Sequence, residues 1–206
     1  MTRAAKERPL LMAGEMVRAT LREVDPKTQT RRIATVRSVD NIHAWNLTGF
    51  DVATATATFG DGFIHIVEVP CPYGRPGDRL WVRETFARNV PGCEEQGGVS
   101  YRADHNDPRG DGPAHPMRWT PSIHMTRALS RIDLQIAAVR VERLHDITEQ
   151  DAQAEGVAPL PCHHADCDTG HHRTAFAELW DEINGDKVPW ASNPWVWVVS
   201  FRRVRP

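Results

Sequence analysis

Cysteine and histidine side chains are concentrated between residues 162 and 172 of the chain. Four residues separate Cys162 from Cys167, three separate Cys167 from His171, and His163, His164 and His172 complete the group. Thiolates and neutral imidazoles are the ligand types that tetrahedral zinc selects. The spacing predicts a structural zinc held by Cys162, Cys167, His171 and His164, with His172 as the alternative fourth ligand. The competing interpretation is a solvent-exposed polar loop that binds metal, if at all, only during purification.

Three further polar residues stand near the predicted ends of helices. Leucine, methionine and valine recur at helical spacing over residues 10–24, and Lys27 and Thr30 follow the end of that helix. Thr148 is a predicted N-cap, and the short helix that it begins ends near Glu155. From local pattern alone, the helix dipole explains Lys27, and the preference of threonine for strands explains Thr30. The pattern by itself leaves a structural and a functional interpretation open.

Strands are the commonest predicted element. Alternation of apolar and polar residues predicts them at residues 52–59, 63–69, 80–86, 131–144 and 195–204. The strongest helix carries Phe176, Leu179, Trp180 and Ile183 on one face and ends at Gly185. Strands outnumber helices and do not alternate regularly with them. This order favours an α+β fold, a small mixed β-barrel with two to three helices, over a doubly wound sheet.

The length of 206 residues predicts one domain over residues 1–206, with long inserted loops at about 38–61, 89–118 and 159–172. The second of these is rich in Gly, Pro, Asp and His and lacks periodicity. Loops of that length are uncommon unless they bind something or are disordered. A binding flap or a disordered segment is therefore expected there.

Charge and hydropathy limit the class of protein. The formal net charge is −2, from 25 basic and 27 acidic residues, which argues against a protein that coats long nucleic acid. A pocket for one base or one nucleotide remains compatible with that charge. The sequence contains neither an apolar window long enough to span a membrane nor a secretory leader, so a cytoplasmic protein without a membrane partner is expected. Its four cysteines are then expected to be reduced thiols or metal ligands.

Four segments carry a family resemblance. They are PKTQTRR after the first helix, PGDRLWVRETF at a turn and strand, ITEQDAQAEGV at the short helix, and WVWVVSFRRV at the closing strand. In these the chain resembles the ASCH domain family of PUA-like β-barrel proteins. The larger members carried by phages and prophages also share the PSIHM motif. The resemblance implies a PUA-like barrel encoded by a phage or prophage and located in the cytoplasm of a bacterial host.

Small bacterial members of the family are amidohydrolases that deacylate N(4)-acetylcytidine. The resemblance implies that Lys27, Thr30 and Glu155 form the corresponding catalytic set, with Glu149 as a rival for the carboxylate. A threonine hydroxyl becomes nucleophilic when a base removes its proton, and a desolvated lysine can be that base. A nearby glutamate could orient the lysine or protonate the leaving amine. No cofactor is required for this chemistry.

Other polar and aromatic residues are candidates for binding substrate. Arg31, or the backbone N–H groups after Thr30, could stabilise an oxyanion. Trp81 and Arg83 share one face of a strand and could clamp a base, although a core tryptophan beside a solvent-directed arginine is the alternative. The full set of predicted contacts is Arg31, Arg32, Trp81, Arg83, Glu84, Trp119, Ser122 and His124.

Three functions follow from these observations. The first is an amidohydrolase that acts on N(4)-acylated cytosine nucleosides. The second is a PUA-like module that binds RNA or modified DNA through the same pocket without chemistry, and a weaker third is a ribonuclease. The intact Lys-Thr-x-Thr spacing favours the enzyme, and the slightly acidic charge counts against a strong binder of nucleic acid.

Overall fold

The computed structural model describes residues 4–35, 45–62, 65–88, 98–105, 117–161 and 171–204. Its strands are β1 Glu7–Leu11, β2 Gln29–Ile33, β3 Asn46–Asp51, β4 Thr56–Gly60, β5 Ile66–Pro70, β6 Arg79–Arg83, β7 Phe86–Arg88, β8 Val99–Tyr101, β9 Asp133–Arg143 and β10 Trp195–Val204. Its α-helices are α1 Gly14–Leu21, α2 Glu149–Ala154 and α3 His172–Asn184. The predicted α+β class is confirmed.

A five-stranded sheet in the order β1-β6-β9-β10-β2 forms the centre of the fold. Within it β1 runs parallel to β6, and the other neighbours are antiparallel. A second sheet, β3-β4-β5, contributes Phe59 to the same core cluster as Trp197 and Val199 of β10. Val196 and Val198 alternate with those residues and instead join the cluster of α2 and α3. Because side chains alternate along a strand, β10 is covered on both faces.

The five-stranded sheet does not close into a barrel through strand pairing within the described residues. Its two outer strands, β1 and β2, are nevertheless joined by a side chain. Nη2 of Arg32 on β2 donates to the main-chain oxygen of Leu11 on β1 at 2.6 Å. The sheet therefore curls so that its two edges approach each other.

Two predicted elements differ from the observed ones, and a third is confirmed in part. Residues 10 and 11, predicted as helix, belong to β1, because Leu10 and Leu11 pair with Val82 and Arg83 of β6. The strand predicted at 52–59 overlaps β4, which forms a hairpin with β3 inside the insertion predicted at 38–61. The loop predicted at 89–118 contains β8, which pairs with β7. No helix in the described ranges has the length and apolar character that crossing a membrane requires.

Candidate functional site

A cleft of about 270 Å³ opens beside β2, between α1 and α3. Its polar wall is made by Lys27, Thr30, Arg31, Arg32 and Glu155. The structure therefore brings together all three residues of the predicted catalytic set. Glu149, the rival carboxylate, is exposed and accepts instead from the backbone N–H of Arg173 at 3.1 Å.

Main-chain hydrogen bonds fix the segment that carries Lys27. The N–H of Lys27 donates to the oxygen of Ala19 in α1, and the N–H of Thr28 donates to that of Ala154 in α2, both at 2.9 Å. The oxygen of Thr28 accepts from Phe201 of β10 at 2.8 Å. Three separate elements thus hold this short segment, and the Lys27 side chain is directed from a rigid support.

The end of α2 packs directly against Lys27. Thr148 caps the helix by accepting from the N–H of Asp151, as its sequence position predicts, and the helix ends at Glu155. Gly156 follows with a φ of +83°, a left-handed conformation that favours glycine. A Cβ at this position would lie 2.7 Å from Cβ of Ala19 and 2.9 Å from Cβ of Lys27. The close approach brings Glu155 within reach of the lysine.

Lys27 and Glu155 form a buried ion pair, with only 2% and 4% of their side chains exposed. Nζ of Lys27 donates to Oε2 of Glu155 at 2.8 Å and to the main-chain oxygen of Glu155 at 2.7 Å. Burial lowers the pKa of Lys27 below its ordinary value, although the Glu155 carboxylate opposes this effect. Lys27 therefore loses its proton at a lower pH than an exposed lysine does.

Arg31 is fully buried and is engaged by protein carboxylates. Its Nη1 donates to Oε1 of Glu155 at 3.2 Å, and its Nη2 contacts Oε1 of Glu142 at 2.5 Å and Oδ2 of Asp151 at 3.3 Å. Its Nε is buried without a hydrogen-bond partner within the described structure. These carboxylates engage the two terminal nitrogens, and Arg31 still lines the cleft, so its contact with a substrate stays a prediction.

Thr30 is buried, with 4% of its surface exposed, and lines the cleft. Its hydroxyl makes no hydrogen bond with any other residue that the structure describes. In the sheet, Thr30 of β2 pairs with Val199 of the neighbouring strand β10. The hydroxyl of this cleft-lining residue is a candidate for contact with a bound molecule.

An apolar and aromatic wall also lines the cleft, and no pattern in the sequence indicates that it belongs to the site. It consists of Met12, Met16, Tyr73, Phe176, Leu179, Trp180 and Ile183. Helical spacing predicts the shared face of the four α3 residues but not the cleft that this face lines. Tyr73 comes from the turn after β5, and burial raises the pKa of its hydroxyl.

Trp81, Arg83 and Glu84, predicted as substrate contacts, do not line the cleft. Trp81 is buried, and the guanidinium carbon of Arg83 lies 4.8 Å from the centre of its ring. Glu84 is buried and accepts from Nε and Nη2 of Arg131 at 2.9 and 3.0 Å. Trp81 and Arg83 therefore contact each other, and Glu84 forms an ion pair with the partly exposed Arg131.

Trp119, Ser122 and His124 also lie outside the lining of the cleft. The ring of Trp119 packs against Arg102, whose guanidinium carbon lies 5.4 Å from the ring centre. Ser122 and His124 belong to a short 3₁₀ turn, and His124 is exposed. Of the eight predicted substrate contacts, Arg31 and Arg32 line the cleft.

The predicted zinc ligands Cys162, His164 and Cys167 lie outside the described residues. His171 precedes α3 and forms an isolated bridge with Leu160, so the two ends of the insertion are adjacent. Within the described ranges, no group of three or more His, Cys, Asp or Glu side chains is arranged to hold a metal ion. The zinc site remains a prediction.

Comparison of the chain with protein-family models, with curated proteins and with solved structures finds no significant match. The resemblance therefore rests on the motifs themselves, two of which carry the polar residues that meet in the cleft.

Proposed function

We propose that this chain is an ASCH-type, PUA-like protein that hydrolyses N(4)-acylated cytosine nucleosides in this cleft. The observation that carries the proposal is the meeting of a buried Lys27, a hydroxyl at Thr30 without a hydrogen-bond partner and the Glu155 carboxylate in one wall. The approach of β1 to β2 through Arg32 is compatible with a PUA-like barrel whose closure is made by a side chain.

Lys27 is assigned as the general base. A neutral amine has two N–H groups and one lone pair, whereas the ammonium has three donors. Glu155 already accepts two hydrogen bonds from Nζ, one on its side chain and one on its main chain. A neutral Lys27 can retain both while its lone pair receives the proton of Thr30. The site is thus suited to the deprotonated amine that burial favours.

Thr30 is assigned as the nucleophile. Its Oγ attacks the acyl carbonyl carbon while its proton passes to Nζ of Lys27. When the bond from that carbon to the exocyclic nitrogen breaks, Lys27 returns the proton to the leaving nitrogen. Water then attacks the acyl-threonine ester, its proton passes through Lys27 to Oγ, and the products are a cytosine nucleoside and a carboxylic acid. Glu155 orients Lys27 in both steps.

The N–H group of Arg31 is the best donor for the oxyanion. Ala34 donates to Trp195, and Phe201 donates to Thr28, so the even-numbered residues of this segment direct their main-chain groups toward β10. In an antiparallel ladder the intervening residues direct theirs the other way. The N–H of Arg31 therefore points to the outer side of β2, which has no further strand within the described residues. This main-chain donor is the alternative to the guanidinium, whose terminal nitrogens are engaged by carboxylates.

A second candidate is a module that binds a base without chemistry. Tyr73, Phe176 and Trp180 in the wall of the cleft favour it, because aromatic rings can stack on any nucleobase. In that case Lys27 and Thr30 would contact the base as hydrogen-bonding groups.

Incubation with N(4)-acetylcytidine and bulkier N(4)-acyl cytidines, followed by separation of products, distinguishes the two candidates. The amidohydrolase releases cytidine, and both Lys27→Ala and Lys27→Arg abolish release, since arginine keeps the charge but does not give up a proton. Arg8→Gln, which removes an ion pair to Asp78 away from the cleft, is the control and keeps full activity. Saturable binding of the nucleosides without release of cytidine would establish the binding module instead.

A further inference from the structure

Arg31 lies among three carboxylates that come from two different elements. Glu142 belongs to β9, Asp151 to the first turn of α2, and Glu155 to the end of the same helix. All three lie within ion-pair distance of its terminal nitrogens, and the arginine side chain is completely buried. One cation thus joins the sheet to both ends of α2.

Glu142 and Asp151, the two of these carboxylates that do not contact Lys27, also accept hydrogen bonds from other residues. Arg140 donates to Oε2 of Glu142 at 2.7 Å and to Oδ1 of Asp151 at 3.0 Å. Gln29 donates to the same oxygen of Asp151 at 3.1 Å. Neither acid can rotate away from Arg31 without losing these bonds. The guanidinium is therefore fixed in position before any ligand arrives.

This arrangement divides the Glu155 carboxylate between two cations. Oε1 accepts from Arg31 at 3.2 Å, and Oε2 accepts from Lys27 at 2.8 Å. We propose that Arg31 is a positioning residue, held by Glu142 and Asp151, which takes one oxygen of Glu155 so that Lys27 can give up its proton. The effect on the reaction rate rests on the proposed function, whereas the effect on Lys27 can be measured without a substrate.

The charges around Lys27 give the direction of the effect. Burial lowers the pKa of Lys27 most strongly, Glu155 raises it, and the positive charges of Arg32 and Arg31 lower it further. The charged and titratable side chains that line the same clefts as Lys27 are Glu155, Arg31, Arg32, Tyr73, Arg22, Glu23 and Arg203. Removal of the Arg31 charge takes away a nearby positive charge and also leaves Lys27 as the only cation bound to the Glu155 side chain. Both changes raise the pKa of Lys27.

Glu142→Gln should have the opposite effect. The amide keeps the shape of the side chain and an acceptor oxygen but removes a negative charge. Arg31 then has one fewer carboxylate partner and draws more strongly on Oε1 of Glu155, which lowers the pKa of Lys27. If Arg31 only stabilised the fold, both Arg31→Gln and Glu142→Gln would loosen the site, admit water and raise the pKa of Lys27.

The chain contains three lysines, at positions 6, 27 and 187, so a protein labelled with ¹³C at lysine Cε gives a spectrum of three signals. Lys27→Arg assigns the buried residue, and pH titration then follows it directly. Arg31→Gln should move the Lys27 midpoint upward, Glu142→Gln should move it downward, and the control Arg8→Gln should leave it unchanged. Movement in the same direction in Arg31→Gln and Glu142→Gln, or no movement, overturns the proposal.

Hydrolysis of N(4)-acetylcytidine gives a separate measurement. If the proposed reaction occurs, Arg31→Gln should lower kcat at neutral pH by roughly a hundredfold. It should recover part of that loss at higher pH, where Lys27 is again neutral. If wild type hydrolyses no substrate while the two midpoints still move in opposite directions, the proposed function fails and the positioning network stands. If Arg31→Gln does not fold, the downward shift in Glu142→Gln remains the deciding result.

Discussion

Gly156 is the residue at which the geometry of the site can be tested through stability. An alanine there would keep a φ of +83°, which L-residues rarely adopt, and its Cβ would lie within 3 Å of Ala19 and Lys27. The backbone conformation costs about 1 kcal/mol, and the forced contact adds about 2 kcal/mol. We therefore expect Gly156→Ala to lower the free energy of unfolding by about 3 kcal/mol, or Tm by about 9 °C.

Gly77 is the matched control, because its φ of +89° is similar but a Cβ at that position would meet nothing within 4 Å. Gly77→Ala should cost only the conformational part, about 1 kcal/mol. Urea unfolding of the two variants measures the difference directly. Equal costs would refute the conclusion that the end of α2 is packed tightly onto Lys27, whereas a larger cost at Gly156 together with lost hydrolysis would support it.

The remaining predictions concern pH and metal. Since burial lowers the pKa of Lys27 below 10.5, the unfolded chain binds more protons in the interval just below that value, so stability should rise with pH there and Lys27→Met should flatten the rise. Burial raises the pKa of Asp151, but Gln29, Arg31 and Arg140 outweigh it and lower the value to about 2. The resulting stability is present above about pH 4 and is lost as pH falls through 2. In denaturant titrations, Asp151→Asn should reduce by roughly 1–2 kcal/mol the loss of unfolding free energy over this pH range. Elemental analysis of protein purified without added metal should find one zinc per chain, lost in a Cys162→Ser variant, and zinc-free folded protein would exclude that site.

Local sequence signals predicted the elements that carry the site. The N-cap at Thr148, the end of the short helix at Glu155 and the alternating strand that became β10 all follow from residues close in the chain. The same local signals place Lys27 and Thr30 after the end of α1. The helix prediction is wrong for Leu10 and Leu11, because their apolar spacing fits a helix and only their pairing with β6 makes them a strand.

The partners within the site could not be predicted in the same way, since they are distant in sequence. Arg31 contacts residues 111 and 124 positions away, and no local pattern indicates that its guanidinium is taken by Glu142 and Glu155. The part of the cleft wall formed by α3 also depends on contacts between residues distant in sequence. Its apolar face was evident, but its place opposite Lys27 depends on how α3 packs on the sheet.

Trp81 and Arg83 show that residue types alone do not identify a substrate-binding site. An aromatic ring beside a guanidinium suits a nucleobase, but the same two groups also satisfy each other. In this fold Arg83 lies over the ring of Trp81, so the pair is used internally.

The most direct measurement of the central claim is the steady-state release of cytidine from N(4)-acetylcytidine by Thr30→Ala and Thr30→Ser, compared with wild type. Removal of the hydroxyl should abolish release, serine should retain part of it, and all three proteins should unfold at similar denaturant concentrations. Release by Thr30→Ala at the wild-type rate would contradict the account, because the nucleophile would then lie elsewhere.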